Sequence, residues 1–203
     1  MRGVILAGGG ATRFGGKPKG LEVVGGRRIL DRLVDIMGDA FGAPPLLVAN
    51  APDAAGWHPG LEVVPDARPG FGALGGIHTA VVSGPAPVVL AAWDMPFVTA
   101  ALLRRLAEGL EGADACLPES GGRRGVEPLC AAYGPGCRAA IEASLAEGDL
   151  RAIGFHRHIG VTILPLDVVR RFGEPDVLFS NVNTPDELAA AEATWQRLGS
   201  SRS

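Results

Sequence analysis

Glycines and cations crowd one short segment near the amino terminus: Leu6-Ala7-Gly8-Gly9-Gly10-Ala11-Thr12-Arg13-Phe14-Gly15-Gly16-Lys17-Pro18-Lys19-Gly20-Leu21. Glycines let successive backbone N–H groups converge on an anion without side-chain obstruction, so a strand opening into such a turn makes a phosphate nest. The cations are unusual for this chain. It carries 19 basic residues against 22 acidic ones, and every basic residue except Lys17 and Lys19 is arginine. A compact ammonium is not interchangeable with a planar guanidinium where phosphate oxygens crowd together. Two common phosphate motifs fail here. A Walker A loop would need glycine where Ala11 stands and Ser or Thr where Pro18 stands. The dinucleotide fingerprint finds Gly8 and Gly10 but ends on Arg13, a charged side chain where close helix packing is required. Pro18 also removes a backbone donor and disfavours helix at Lys17, so the segment reads as an extended loop.

Polar residues recur at comparable places further along. Asp94 directly follows the apolar run Val88–Ala92 and Trp93. An unpaired carboxylate in such surroundings is costly, and a hard Mg²⁺ ion would compensate it, taking one or two carboxylates plus phosphate oxygens. The alternative is a capping role in the turn before Thr99. Asn50 and Asp66 each end a short apolar segment, and Asp66 could equally be a turn former. Asn181 and Asn183 alternate on an extended stretch, which points both to one side. Helix capping is the simpler role for them, but Thr184 already serves as a cap. His156 and His158 read as a surface pair rather than a metal site.

The elements that must hold these residues are legible. Val4–Leu6, Pro45–Val48, Leu61–Val64, Val88–Ala92 and Ala115–Leu117 read as short buried strands bounded by Gly, Pro, Asp or Asn. Helical spacing links Ile29, Leu30, Leu33, Val34, Met37 and Phe41, and again Leu102, Leu103, Leu106 and Leu110 after the N-cap Thr99. Thr184-Pro185-Asp186-Glu187 is a capping box that opens a helix with the stripe Leu188, Ala191, Trp195 and Leu198. Gly121–Gly125 followed by Leu129–Tyr133 reads as a hairpin. The expected fold is therefore α/β: a Rossmann-like, mainly parallel sheet with helices on both faces and a small antiparallel addition. In such sheets ligands sit beyond the carboxyl ends of the strands, the row formed here by Ala7–Lys19, Asn50, Asp66 and Asp94. One domain over residues 1–198 and a flexible tail over 199–203 are expected.

The string Leu-Ala-Gly-Gly, Thr-Arg-Phe-Gly-Gly, Lys-Pro-Lys-Gly-Leu closely resembles the signature of nucleotidyltransferases that use an NTP to activate a phosphate. Within them the chain is most similar to the molybdenum cofactor guanylyltransferase family. Gly70-Phe71-Gly72-Ala73-Leu74-Gly75-Gly76-Ile77, Trp93-Asp94-Met95-Pro96-Phe97 and Asn181-Val182-Asn183-Thr184-Pro185 extend the likeness across residues 4 to about 188. The resemblance implies transfer of GMP from GTP to the terminal phosphate of molybdopterin with release of pyrophosphate. It implies Mg²⁺ at Asp94, and protein partners in cofactor delivery. Arg13 would bind the triphosphate tail, with a solvated loop arginine as the alternative, and Lys19 would sit against the phosphates; the role of Lys17 stays open. Leu6, Ala7 and Gly8 would give backbone contacts near the base, with Gly9 in the same loop. Guanine presents two adjacent donors, for which the Asp66 carboxylate is a matching acceptor, and Asn50 stands beside it. Gly72 and Gly76 would let a loop pass close to nucleotide or pterin, and Asn181 and Asn183 would lie near the metal and the pterin. One departure is Pro18, where the family commonly has Asp and sugar-nucleotide pyrophosphorylases often have proline. The alternatives are thus cytidylyl transfer from CTP to molybdopterin, or NTP chemistry on a sugar phosphate.

Composition limits the rivals. A formal charge of −3 argues against a nucleic-acid binder, which usually carries a net basic stripe. The longest apolar stretch, Pro85 to Trp93, is far short of the roughly 20 residues that span a bilayer. The amino terminus only faintly imitates a signal peptide, and a cytoplasmic location is expected. Cys116, Cys130 and Cys137 lack metal or redox spacing and read as reduced structural thiols. A dinucleotide-dependent dehydrogenase is disfavoured by Arg13 and by Asn50-Ala51 after the second strand, where an acidic residue would be needed. A non-catalytic nucleotide sensor on the same fold is the remaining rival.

Overall fold

A computed structural model describes residues 1–8, 18–84 and 86–200. Nine strands and seven helices are found among them: β1 (Arg2–Ala7), β2 (Val23–Val24), β3 (Arg27–Arg28), α1 (Ile29–Phe41), β4 (Leu46–Ala49), β5 (Glu62–Val64), α2 (Gly72–Val82), β6 (Val88–Ala92), α3 (Ala100–Glu108), β7 (Ala115–Pro118), β8 (Cys130–Tyr133), α4 (Cys137–Ala146), β9 (Val161–Leu164), α5 (Leu166–Val169), α6 (Pro175–Leu178) and α7 (Pro185–Ser200). Seven strands form one sheet in the order β5-β4-β1-β6-β8-β7-β9, and β2 pairs with β3 in a separate antiparallel ribbon.

Alternation of side chains along each strand divides the core. Ile5, Leu47, Val89 and Ala91 face one layer with Leu30, Leu33, Leu102 and Leu106. Val4, Leu6, Leu46, Val48 and Leu90 face the other with Leu74, Ile77 and Ile141. Helices therefore cover both faces, as the strand–helix alternation requires. Helix α1 ends on Gly42 at φ +72°, the left-handed cap that a side chain would strain. Helix α3 starts on Thr99, whose hydroxyl accepts the Leu102 N–H.

The antiparallel component differs from a simple addition. Strand β8 lies inside the sheet, antiparallel to both β6 and β7, while β9 supplies the parallel edge beyond β7. Val161–Leu164 leaves Ile163 exposed, so its pattern lacks the apolar run of a central strand. Gly72 and Gly76 belong to α2, not to a loop. Helix α7 continues through Ser200, whose hydroxyl donates to the Gln196 carbonyl, so Gly199 and Ser200 are helical rather than tail. His156 is half-buried with its ring edge against Phe155, and burial lowers its pKa to about 4; it does not form a surface pair with the exposed His158. All three cysteines are buried and free, and burial pushes the Cys116 thiol up to about 11 and the Cys137 thiol up to about 12. Among the described residues no helix is long and apolar enough to cross a membrane.

Candidate active site

The parallel register sets the floor of the site. Leu6 is level with Val48 on one side and Ala92 on the other, and Val48 is level with Val64. The carboxyl ends of β5, β4, β1 and β6 thus stand in a row, and the residues that follow them open into one cleft of about 630 Å³. Leu6, Ala7, Gly8, Lys19, Asn50, Asp66, Gly72, Gly76, Asp94, Asn181 and Asn183 all line it. Gly9, Arg13 and Lys17 lie outside the described residues. A second depression, of about 510 Å³, is walled by residues such as Phe97, Phe172 and Trp195, and contains none of the residues expected to act.

Lys19 is the centre of the polar arrangement. Only 8% of it is exposed, and its ammonium donates to Asn183 Oδ1 at 2.5 Å. The Asp94 carboxylate stands 3.9 Å away, beyond a hydrogen bond but within strong Coulomb range. Backbone contacts bring these three segments together. The Trp93 N–H donates to the Leu6 carbonyl at 3.1 Å, and the Val182 N–H donates to the Asp94 carbonyl at 2.9 Å. Gly20 lets the chain beside Lys19 lie against Trp93: a Cβ there would stand 2.4 Å from a carbon of its ring, which is itself stacked on Trp57 at 5.0 Å between centroids.

Burial pushes the Asp94 carboxyl above the usual carboxylate range; Lys19 and a backbone hydrogen bond pull it partly back, and Glu187 adds to the rise. One lysine beyond hydrogen-bond distance leaves this carboxylate short of positive charge. That deficit suits a divalent cation, to which the Asn181 and Asn183 side chains could add neutral oxygen donors. Among the described residues no group of three or more His, Cys, Asp or Glu forms a metal cage, so any ion held here would need ligands from its substrate.

At the other end of the row, Asn50 and Asp66 pair reciprocally. Asn50 Nδ2 donates to Asp66 Oδ2 at 2.7 Å, and the Asp66 N–H donates to Asn50 Oδ1 at 2.8 Å. This ties the segments after β4 and β5 together and leaves Asp66 Oδ1 outside that pairing, on a residue that lines the cleft. Helix α2 presents its first turn here, and Phe71 provides no side-chain cap for it. Its leading N–H groups are therefore available to an anion. Gly72 begins the helix at φ +57°.

Arg124 and Glu127 also line the cleft, and neither was expected there. Burial raises the Glu127 carboxyl, the Leu129 N–H and Arg124 lower it, and Asp94 raises it further. The signal available in the sequence is the one that marks Asp94, a carboxylate bordering a buried apolar strand, but Glu127 stands before its strand and inside the hairpin pattern.

A buried lysine, a half-buried carboxylate after a strand and two asparagines just before α7 suit phosphate chemistry, and comparison with known proteins identifies the lineage. Residues 3–159 match the model of the MobA-like NTP transferase domain. The chain belongs to the MobA-like NTP transferase family. It is 34% identical to a molybdenum cofactor guanylyltransferase of Desulfosudis oleivorans, over 95% of each chain. It is also 34% identical to one of Cereibacter sphaeroides, covering 96% of this chain and 97% of that one. Among solved structures, molybdopterin-guanine dinucleotide biosynthesis protein A from Archaeoglobus fulgidus superposes with a TM-score of 0.81 at 27% identity, covering 97% of this chain and all of the other. The matched span contains the row of strand ends, and Asn181–Asn183 lies beyond it.

Two outcomes follow from the packing and charge of this NTP transferase site. Gly20→Ala overpacks the Trp93 ring and should destabilise the protein by about 1–3 kcal/mol in urea denaturation. Asp94 has a folded pKa raised above its unfolded value, so its contribution favours folding below the unfolded pKa and is withdrawn as the pH rises through the folded one. Asp94→Asn should therefore raise the melting temperature of the free protein at pH 7, and the gain should shrink as pH falls toward the ordinary aspartate range.

Proposed function

We propose that the chain is a Mg²⁺-dependent molybdenum cofactor guanylyltransferase, which transfers GMP from GTP to the terminal phosphate of molybdopterin and releases pyrophosphate. The observation that carries this reading is the single cleft in which Lys19, Asp94, Asn181 and Asn183 meet at one part and Asn50 and Asp66 at another. The likeness to guanylyltransferases over nearly the whole chain supports the choice of substrates.

The base would lie over the ends of β4 and β5. There Asp66 Oδ1 accepts from the guanine N1–H or amino group, held in place by Asn50. Ala7 and Gly8 approach the nucleotide through backbone atoms. The Leu6 carbonyl already accepts from Trp93, so Leu6 contributes mainly its side chain and the placement of that neighbour. Lys19 would exchange its bond to Asn183 for one to phosphate, presenting its charge where charge builds up in the transition state. Arg13 is assigned to the departing pyrophosphate. Asp94, aided by Asn181 and Asn183, would hold Mg²⁺, which when bound supplies charge neutralisation to the phosphates of both substrates. Gly72 and Gly76 keep the first turns of α2 free of bulk beside the nucleotide. No residue is required as a covalent nucleophile, because the acceptor phosphate can attack the α-phosphorus directly.

Pyrophosphate release from purified protein given Mg²⁺, molybdopterin and each of GTP, CTP, ATP and UTP tests this. Release with GTP, and its loss in Asp94→Ala while the protein stays folded, is expected. Preference for CTP would move the assignment to a cytidylyltransferase, and no release with any nucleotide would contradict it.

A further inference from the structure

We propose that Glu187, in the first turn of α7, is a positioning residue that acts through Asn183 to hold Lys19 short of Asp94 in the free protein, poised for phosphate. In an ordinary capping box the third helical residue returns its carboxylate to the N–H of the N-cap residue. Here half of that arrangement is normal: the Glu187 N–H donates to Thr184 Oγ1 at 3.2 Å. The other half is displaced by one residue. Glu187 Oε2 accepts from the N–H of Asn183, not of Thr184, at 2.7 Å. Asn183 Oδ1 in turn accepts from Lys19 Nζ at 2.5 Å. An unbroken chain of contacts therefore runs from an exposed helix terminus to the buried ammonium.

Competition makes this chain consequential. Lys19 faces two acceptors, the neutral Asn183 amide and the Asp94 carboxylate 3.9 Å away. A full charge attracts an ammonium more strongly than an amide does, so holding Lys19 short of a closed ion pair requires that Asn183 be fixed. The Asn183 side chain cannot be fixed unless its backbone is. Val182 is anchored on one side by its N–H to the Asp94 carbonyl at 2.9 Å, and Glu187 anchors Asn183 on the other. The middle of α7 is tied down as well: Glu192 accepts from the Gly25 N–H at 2.7 Å, and the Arg32 guanidinium lies over Trp195 at 3.9 Å from the ring centroid. The helix is thus a fixed post, and Glu187 transmits that fixity to the lysine.

The chain's scarcity of lysine allows a direct reading that needs no turnover. Lys17 and Lys19 are the only lysines, so the rate of acetylation of Lys19 by acetic anhydride can be followed by mass spectrometry in the full-length free protein. Glu187→Ala should raise that rate several-fold. Glu187→Gln, which can still accept the Asn183 N–H, should stay near wild type, and so should Thr184→Ala, which removes the helix cap but not the link to Asn183. Where turnover is measured, which rests on the function proposed above, Glu187→Ala should lower kcat about ten-fold, whereas Thr184→Ala should lower only the melting temperature. Equal acetylation of Lys19 in Glu187→Ala and Thr184→Ala, or no change in Glu187→Ala, overturns the proposal. The expected labelling pattern in a protein that releases no pyrophosphate from GTP would contradict the guanylyltransferase reading and leave the link standing.

Discussion

Opposite charges are held near each other without being allowed to close. The ammonium of Lys19 and the carboxylate of Asp94 sit 3.9 Å apart in a partly desolvated cleft, with the lysine's hydrogen bond given to a neutral amide. A closed pair would satisfy both groups and leave neither for a substrate. Separation leaves each with unmet capacity, a cation short of an anion and an anion short of a cation, which is the complement of a metal-bound polyphosphate. That arrangement is costly to the free protein, since burial alone pushes Asp94 toward its neutral form.

The fold supplies the restraint. Parallel pairing of β5, β4, β1 and β6 brings their carboxyl ends level, which fixes Asp94 relative to the chain leaving β1. Lys19 is set from the amino-terminal side by Gly20, which allows backbone to lie against the Trp93 ring. Asn183 arrives from the opposite end of the chain, just before α7. Residues 164 apart in sequence therefore share one hydrogen bond, and the carboxyl-terminal helix becomes part of the site it barely touches.

Most of this was legible in the sequence because it followed from periodicity and strand-end chemistry. Short apolar runs bounded by turn formers marked the strands, and polar residues immediately after them marked the row containing Asn50, Asp66 and Asp94. What escaped depended on pairing partners. The position of β8 between β6 and β7 is a tertiary choice that a hairpin pattern does not specify. Helix α2 is glycine-rich and buried nearly all round, so it lacks the polar face that reveals a helix, and Gly72 and Gly76 read as loop. Glu127 and Arg124 enter the cleft only because β8 sits where it does. The capping box was visible, but not its shift by one residue onto Asn183, because a carboxylate's choice between neighbouring N–H groups is set by geometry rather than by residue type.

The choice of lysine over arginine is where the phosphate chemistry meets the packing most directly. Lys19→Arg keeps the charge, and enlarges the head group at a position only 8% exposed, with Asn183 and Asp94 beside its ammonium. Pyrophosphate release from GTP with molybdopterin and Mg²⁺, compared between wild type, Lys19→Arg and Lys17→Arg, is therefore the decisive measurement. A loss of about ten-fold or more in Lys19→Arg, with Lys17→Arg close to wild type, is the expected result. Equal turnover in the two variants would show that Lys19 acts as no more than a mobile positive charge.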